Sequence, residues 1–259
     1  ISEHALKAAV GDEFNLANTT VPLKPLNISS TRKIDNLVED VGEVNKAVPD
    51  NSVNKDMSSV SQYNKEKLST MEGFMDNIES KTKAYDLTKS QFDSLRLKPT
   101  NSLLENEKEI LRSIRNGITS PDNTTIMQKV IPKGDISKYI DGIYTTIGGY
   151  ITRAQDVKQL DNYMDIFDSL RLDYPGTVFK TNEDEFLGVI RFQTPEASKI
   201  EIPYGKDFGG NITDADPFTG NGFTKATNGQ SIPEYKCNAF LDILNGAELY
   251  KVTKDGEEI

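Results

Sequence analysis

Glu234 is the residue of this sequence best placed to do chemistry. It sits near the start of a short β-rich stretch, Ser231–Cys237, which follows a long irregular segment from Gly205 to about Gly229. That segment carries Phe208, Phe218 and Phe223, spaced between Gly209-Gly210 and Gly220-Asn221-Gly222. Glycines permit tight turns and aromatic rings can cover a planar ligand. A loop of this length without its own regular structure is usually functional or disordered. It reads as a substrate-facing lid or as an Ω-loop packed on its own rings. A carboxylate at the start of the next strand can accept a ribose hydroxyl and stabilise positive charge developing at an anomeric carbon.

Other chemistries have weaker support. Asp214, Asp216 and Gly220 partly match a calcium loop, but no closing Glu follows at the needed distance. No metal is therefore expected. Two of Asp214, Asp216 and Glu234 could serve a glycan hydrolase, given a defined separation of their carboxylates. The single histidine, His4, lies close to the start. That placement argues against Ser-His-Asp, Cys-His and His-ligated zinc chemistry. The single cysteine, Cys237, excludes an internal disulfide.

The elements that must position these residues form two parts, 1–119 and 120–259, separated at Ser120-Pro121-Asp122-Asn123. The first part reads as helical. Ile34, Leu37, Val38, Val41, Val44 and Val48 recur at helical spacing up to Pro49, and 50–62 reads as a linker. A second helix is predicted from about Glu66 to Thr88. A third starts at Asn101 or Ser102, with a Ser102/Glu105 capping box and Gly117 as a left-handed terminator. The second part is a mixed, mainly antiparallel α+β arrangement. Strands are predicted at Thr124–Ile131, Tyr144–Thr152, Phe186–Phe192, Lys199–Tyr204, Ser231–Cys237 and Glu248–Val252. Helices are predicted at Asp135–Asp141 and from Val157 to Leu170. The hexapeptide Phe92-Asp93-Ser94-Leu95-Arg96-Leu97 recurs as Phe167-Asp168-Ser169-Leu170-Arg171-Leu172. Without further copies it signals no solenoid, and shared helix-exit chemistry or chance explains it.

A net charge of −10 repels phosphate backbones and anionic lipid, which disfavours nucleic-acid or membrane-surface binding. No apolar run approaches the ~20 residues of a membrane span. The start at Ile1, without a signal-like segment, suggests a piece of a longer chain or a processed product.

The order of pieces from 124 to 252 resembles the ADP-ribosyltransferase toxin fold. Thr125-Ile126-Met127-Gln128-Lys129-Val130 resembles the first strand of that family, with Gln128-Lys129 where an Arg is usual. Tyr150-Ile151-Thr152-Arg153-Ala154-Gln155-Asp156 resembles the Ser-Thr-Ser strand, keeping one hydroxyl. Gln230 to Glu234, after Gly220–Gly229, resembles the loop and the catalytic strand, although Ile232 stands two before the Glu. The resemblance implies NAD as substrate, bound in a cleft between two small sheets. Lys129 or Arg153 would pair with the pyrophosphate, Tyr150 or Phe223 would stack near the nicotinamide, and Thr152 would contact a ribose. Glu234 would stabilise the oxocarbenium-like transition state and Gln230 would orient the acceptor. It further implies a secreted or delivered bacterial effector, similar to the C-terminal modules of polymorphic toxins, with a pretoxin-like helical region. Its partners would be a macromolecular acceptor, or water in a glycohydrolase, and a cognate immunity protein. The alternative is a non-enzymatic secreted or phage-related interaction module.

Overall fold

The structure is a computed structural model that describes residue 63 and residues 65–212 and 217–258. The helix expected over 34–48, the 50–62 linker, His4, Asp214 and Asp216 lie outside the described residues. The architecture is α+β. Four helices come first: α1 (Lys65–Ser69), α2 (Ile78–Lys83), α3 (Lys89–Arg96) and α4 (Glu105–Asn116). The strands follow, interrupted by α5 (Ile136–Ile140) and α6 (Tyr163–Ser169). No helix among the described residues is long and apolar enough to cross a membrane.

The strands are β1 (Met127–Ile131), β2 (Thr146–Ile147), β3 (Tyr150–Arg153), β4 (Phe186–Phe192), β5 (Ile200–Glu201), β6 (Tyr235–Cys237), β7 (Leu241–Asp242), β8 (Glu248–Thr253) and β9 (Glu257–Glu258). Seven form one sheet in the order β5-β6-β3-β1-β4-β8-β9, and β2 pairs with β7 apart from it. Every pairing is antiparallel. β1 follows β4 along its whole length, from Met127↔Phe192 to Ile131↔Gly188. With β3 it shares only Met127↔Arg153 and Gln128↔Thr152. The rest of β3 pairs instead with β6, through Tyr150↔Lys236 and Ile151↔Tyr235. The sheet therefore splits into two wings, β5-β6-β3 and β1-β4-β8-β9.

Side chains alternate along a strand, so each wing has two kinds of face. Met127, Ile131, Ile151, Ile190, Phe192, Tyr235 and Cys237 share one core, closed by Ile136 and Tyr139 of α5. On the other face Leu187, Val189, Tyr250 and Val252 pack against Tyr163 and Ile166 of α6 and against Ile232.

Several expected elements change at the tertiary level. The helix expected from Glu66 to Thr88 breaks after Ser69. The chain at Gly73 runs against another backbone, where a Cβ would lie 2.3 Å from the Gln155 carbonyl oxygen. Phe74 N–H donates to Asp156 Oδ1 (2.8 Å), which fixes the break. The Ser102/Glu105 capping box does not form, because Thr100–Ser102 is a 3-10 turn and α4 begins at Glu105. Glu107 instead accepts from the Leu104 N–H at 2.9 Å. A capping box does form at Thr88 and Gln91, opening α3. Gly117 is right-handed, with φ −72°. The predicted helix from Val157 is regular only over Tyr163–Ser169, capped by Asn162.

Helices before residue 120 and the loop after 205 meet in one core. Phe74, Phe92, Leu111 and Ile114 enclose Phe208 and Phe223. Phe223 is fully buried, with its ring centroid 5.2 Å from Phe74 and 5.3 Å from Phe92. Truncating such a ring leaves a cavity at the joint between helices and loop. Phe223→Ala is expected to destabilise the protein by about 3–5 kcal/mol in equilibrium denaturation, the range for a buried Phe. A loss below about 1 kcal/mol would show that the joint contributes little.

Candidate functional site

Where β1 and β3 part, a cleft of about 310 Å³ opens. Alternation sets its wall. Gln128 and Val130 of β1, Tyr150 and Thr152 of β3, and Glu234 and Lys236 at β6 all project to this side. The segment after α6 supplies Leu170, Leu172 and Phe179 opposite, and the long loop supplies Phe218, Thr224 and Lys225.

Of the residues expected from sequence, Lys129, Tyr150, Thr152 and Glu234 line this cleft together. Glu234 is half-buried, and withdrawal from water pushes its carboxyl up to about 7, with the Arg115 guanidinium partly opposing. Its backbone is fixed on both sides. The Glu234 N–H donates to the Gly222 carbonyl (2.9 Å) and the Glu234 carbonyl accepts from Arg115 Nη2 (2.8 Å). Burial raises the Tyr150 phenol above its ordinary value, and the Glu234 and Glu201 carboxylates raise it further. The Tyr150 ring stacks on Phe218 at 4.7 Å with a 27° interplanar angle. Lys129 alternates to the opposite side of β1, yet its ammonium reaches the split and donates to the Tyr150 carbonyl at 3.1 Å. Burial lowers its basicity, against opposing effects of Cys237 and Asp135. It forms no ion pair among the described residues.

Two hydroxyls on the cleft wall are buried without a hydrogen-bond partner among the described residues: Thr152 Oγ1 and Thr224 Oγ1. Buried polar atoms are nearly always satisfied, so these two hydroxyls are exceptions beside the cleft.

Arg153, Gln230 and Phe223 do not reach the cleft. Arg153 is buried in a two-pronged pair with Asp156 (2.7 and 2.8 Å), and the same carboxylate receives the Phe74 N–H. Its charge is used to join the helical segment to β3. The Gln230 side chain accepts from Gln159 Nε2 (2.9 Å) and its carbonyl accepts from Arg96. Phe223 lies in the helical core, and Phe218 is the loop aromatic that faces the cleft. Where the resemblance expects an arginine on the first strand, Gln128 accepts from Arg191 Nε of β4 at 3.1 Å. Sequence reading grouped Phe218 with the loop aromatics without singling it out, and missed Thr224 as a wall residue and Arg96, Arg115 and Arg171 as supports. The hexapeptide repeat marked Arg96 and Arg171, but nothing in the repeat says that both face one loop. Among the described residues no group of three or more His, Cys, Asp or Glu side chains could hold a metal ion.

No protein-family model, curated protein or solved structure matches this chain.

The raised Glu234 carboxyl links the site to stability. Between its ordinary value of 4.5 and about 7 the unfolded chain releases a proton that the folded chain retains. Stability therefore falls as pH rises through that window, by at most about 3 kcal/mol. Glu234→Gln removes the ionisation. The variant is expected to melt above the parent at pH 8, with the gap closing near pH 4.5. An equal gap at both pH values would contradict a buried carboxyl.

Proposed function

We propose that the protein cleaves NAD in this cleft and transfers ADP-ribose to a macromolecular acceptor or to water, as a toxin-type ADP-ribosyltransferase. One observation carries the reading: Glu234 immediately precedes β6, and β6 pairs directly with the strand of Tyr150 and Thr152, so the three side chains line one cleft. Strand order along the chain suggested only that these pieces follow one another. Their pairing makes them neighbours of a size-limited hollow.

The roles follow from chemistry and position. The bond between C1 of the ribose and the nicotinamide nitrogen breaks, and its electron pair leaves with neutral nicotinamide. Positive charge develops on the ribose, and the Glu234 carboxylate in a partly water-free wall stabilises it. The Thr152 and Thr224 hydroxyls, unpaired among the described residues, would meet ribose hydroxyls after rotation of their side chains. The Tyr150–Phe218 stack offers an aromatic surface to the nicotinamide end, a place that sequence reading gave to Tyr150 or Phe223. Lys129 offers a cation for the pyrophosphate, joined at the rim by Lys225 and Lys236. An acceptor nucleophile then bonds to the ribose carbon and loses its proton to solvent or to Glu234. The effector-type localisation and an immunity partner stay part of this proposal.

The test is release of nicotinamide from NAD, with and without cell lysate. Wild-type protein is expected to release it, and Glu234→Gln to lower kcat by about 10²–10³, the usual size of a lost transition-state contact. The chemical role needs the ionised carboxylate. The kcat/KM of the wild type is therefore expected to rise with pH through about 7, the value to which burial pushes Glu234. Release without lysate indicates hydrolysis, and release only with lysate indicates transfer. A fully active Glu234→Gln, or a wild type inert toward NAD in both conditions, overturns the reading.

A further inference from the structure

The helical segment contributes two completely buried guanidiniums, Arg96 of α3 and Arg115 of α4. Arg96 pairs with Asp93 of its own helix, and its other donors turn to the loop. Arg96 donates to the carbonyls of Thr224 (2.5 Å), Ala226 (2.6 Å) and Gln230 (3.1 Å) and to the Ser231 hydroxyl (2.9 Å). Arg171, its counterpart in the second hexapeptide, donates to the Lys225 carbonyl between them (3.2 Å). Ser169 of that copy accepts from Asn228 Nδ2 of the same loop (2.9 Å). The two copies thus grip the loop before Glu234 from α3 and from the end of α6. Arg115 grips its end. Its Nε donates to the Gly222 carbonyl (2.9 Å) and its Nη2 to the carbonyl of Glu234 itself (2.8 Å). Its guanidinium carbon lies 4.5 Å from the centre of the Tyr235 ring. Gly222, with φ +83°, leaves room for this, since a Cβ there would come within 3.1 Å of Arg115 Nε.

We propose that Arg115 is the positioning residue for Glu234, and that α3 and α4 are working parts of the site, locking the loop and strand start that carry it. This rests on the reading of Glu234 as the acting carboxylate. A rigid fork with two fixed acceptors holds a peptide plane more firmly than a single flexible donor. Among the described residues no carboxylate pairs with Arg115, and its Nη1 is buried without a partner. Its field therefore falls on the Glu234 carboxylate, which it favours in the charged form. The other charged or titratable groups lining the cleft are Tyr150 of β3, Lys129 of β1, Lys236 of β6, Lys225 of the loop, and Arg171 and Tyr174 of the segment after α6.

The experiment uses the full chain with Arg115→Met, Arg115→Lys and, as a control on the same helix, Arg112→Met. Arg112 donates to the Asp207 carbonyl and lies over the Phe208 ring, away from Glu234. The Glu234 carboxyl is titrated by carbon-13 NMR, assigned by its loss in Glu234→Gln, and NAD turnover is followed in parallel. Arg115→Met is expected to move the Glu234 midpoint up by half a pH unit or more and to lower kcat tenfold or more, with KM within threefold. Arg115→Lys, which keeps the charge and loses the fork, is expected to keep the midpoint and lose kcat. Arg112→Met should change neither. A folded Arg115→Met with the wild-type midpoint overturns the proposal. If that variant does not fold, wild-type kcat in Arg115→Lys overturns it. The titration is independent of NAD, so a wild type inert toward NAD but with a shifted midpoint in Arg115→Met would sink only the NAD reading.

Discussion

Two residue pairs tie the halves of this sheet together: Met127 with Arg153, and Gln128 with Thr152. After them β1 stays with β4 and β3 turns to β6. Every feature of the cleft follows from that parting. A continuous β1–β3 ladder would bury the peptide edges that now frame the hollow, and would leave Lys129 no gap through which to reach the Tyr150 carbonyl. The alternation rule then determines which side chains meet in the gap. Tyr150, Thr152 and Glu234 fall on one side, while Ile151, Tyr235 and Cys237 fall in the core.

Such a gap is held open at a cost. Glu234 and Lys129 are withdrawn from water without a direct ion pair among the described residues, and two threonine hydroxyls there are left unpaired. Each lowers stability by the desolvation of a polar group. Compensation comes from the surroundings, where the charges are well satisfied. Arg153 and Asp156 pair in two prongs, Arg96 has five acceptors, and Phe74, Phe92 and Phe223 close the apolar joint.

Much of the element order was legible. The strand over Phe186–Phe192 has its expected bounds, and Glu248–Thr253 differs from expectation by one residue. Both are β-rich runs, and local patterning decides such segments. The helix expected from Glu66 to Thr88 was not legible as broken, because its interruption comes from the Gln155 carbonyl and Asp156, more than eighty residues away. The three loop phenylalanines looked equivalent in sequence. Packing separated them, sending Phe208 and Phe223 into the helical core and leaving Phe218 beside Tyr150. Arg96 stood out only as part of the repeated hexapeptide and Arg115 not at all, since only the fold brings backbone carbonyls of the loop against them.

By itself the amino-acid sequence determined an α+β chain, a carboxylate at the head of a short strand, and a glycine- and phenylalanine-bearing loop in front of it. These rest on periodicity and turn chemistry, which act over a few residues. The tertiary structure alone decided which strands pair, where the sheet parts, and which side chains the parting exposes together. Those choices depend on hydrogen bonds and packing between residues about a hundred positions apart, such as Arg115 and Glu234, and no local pattern encodes them.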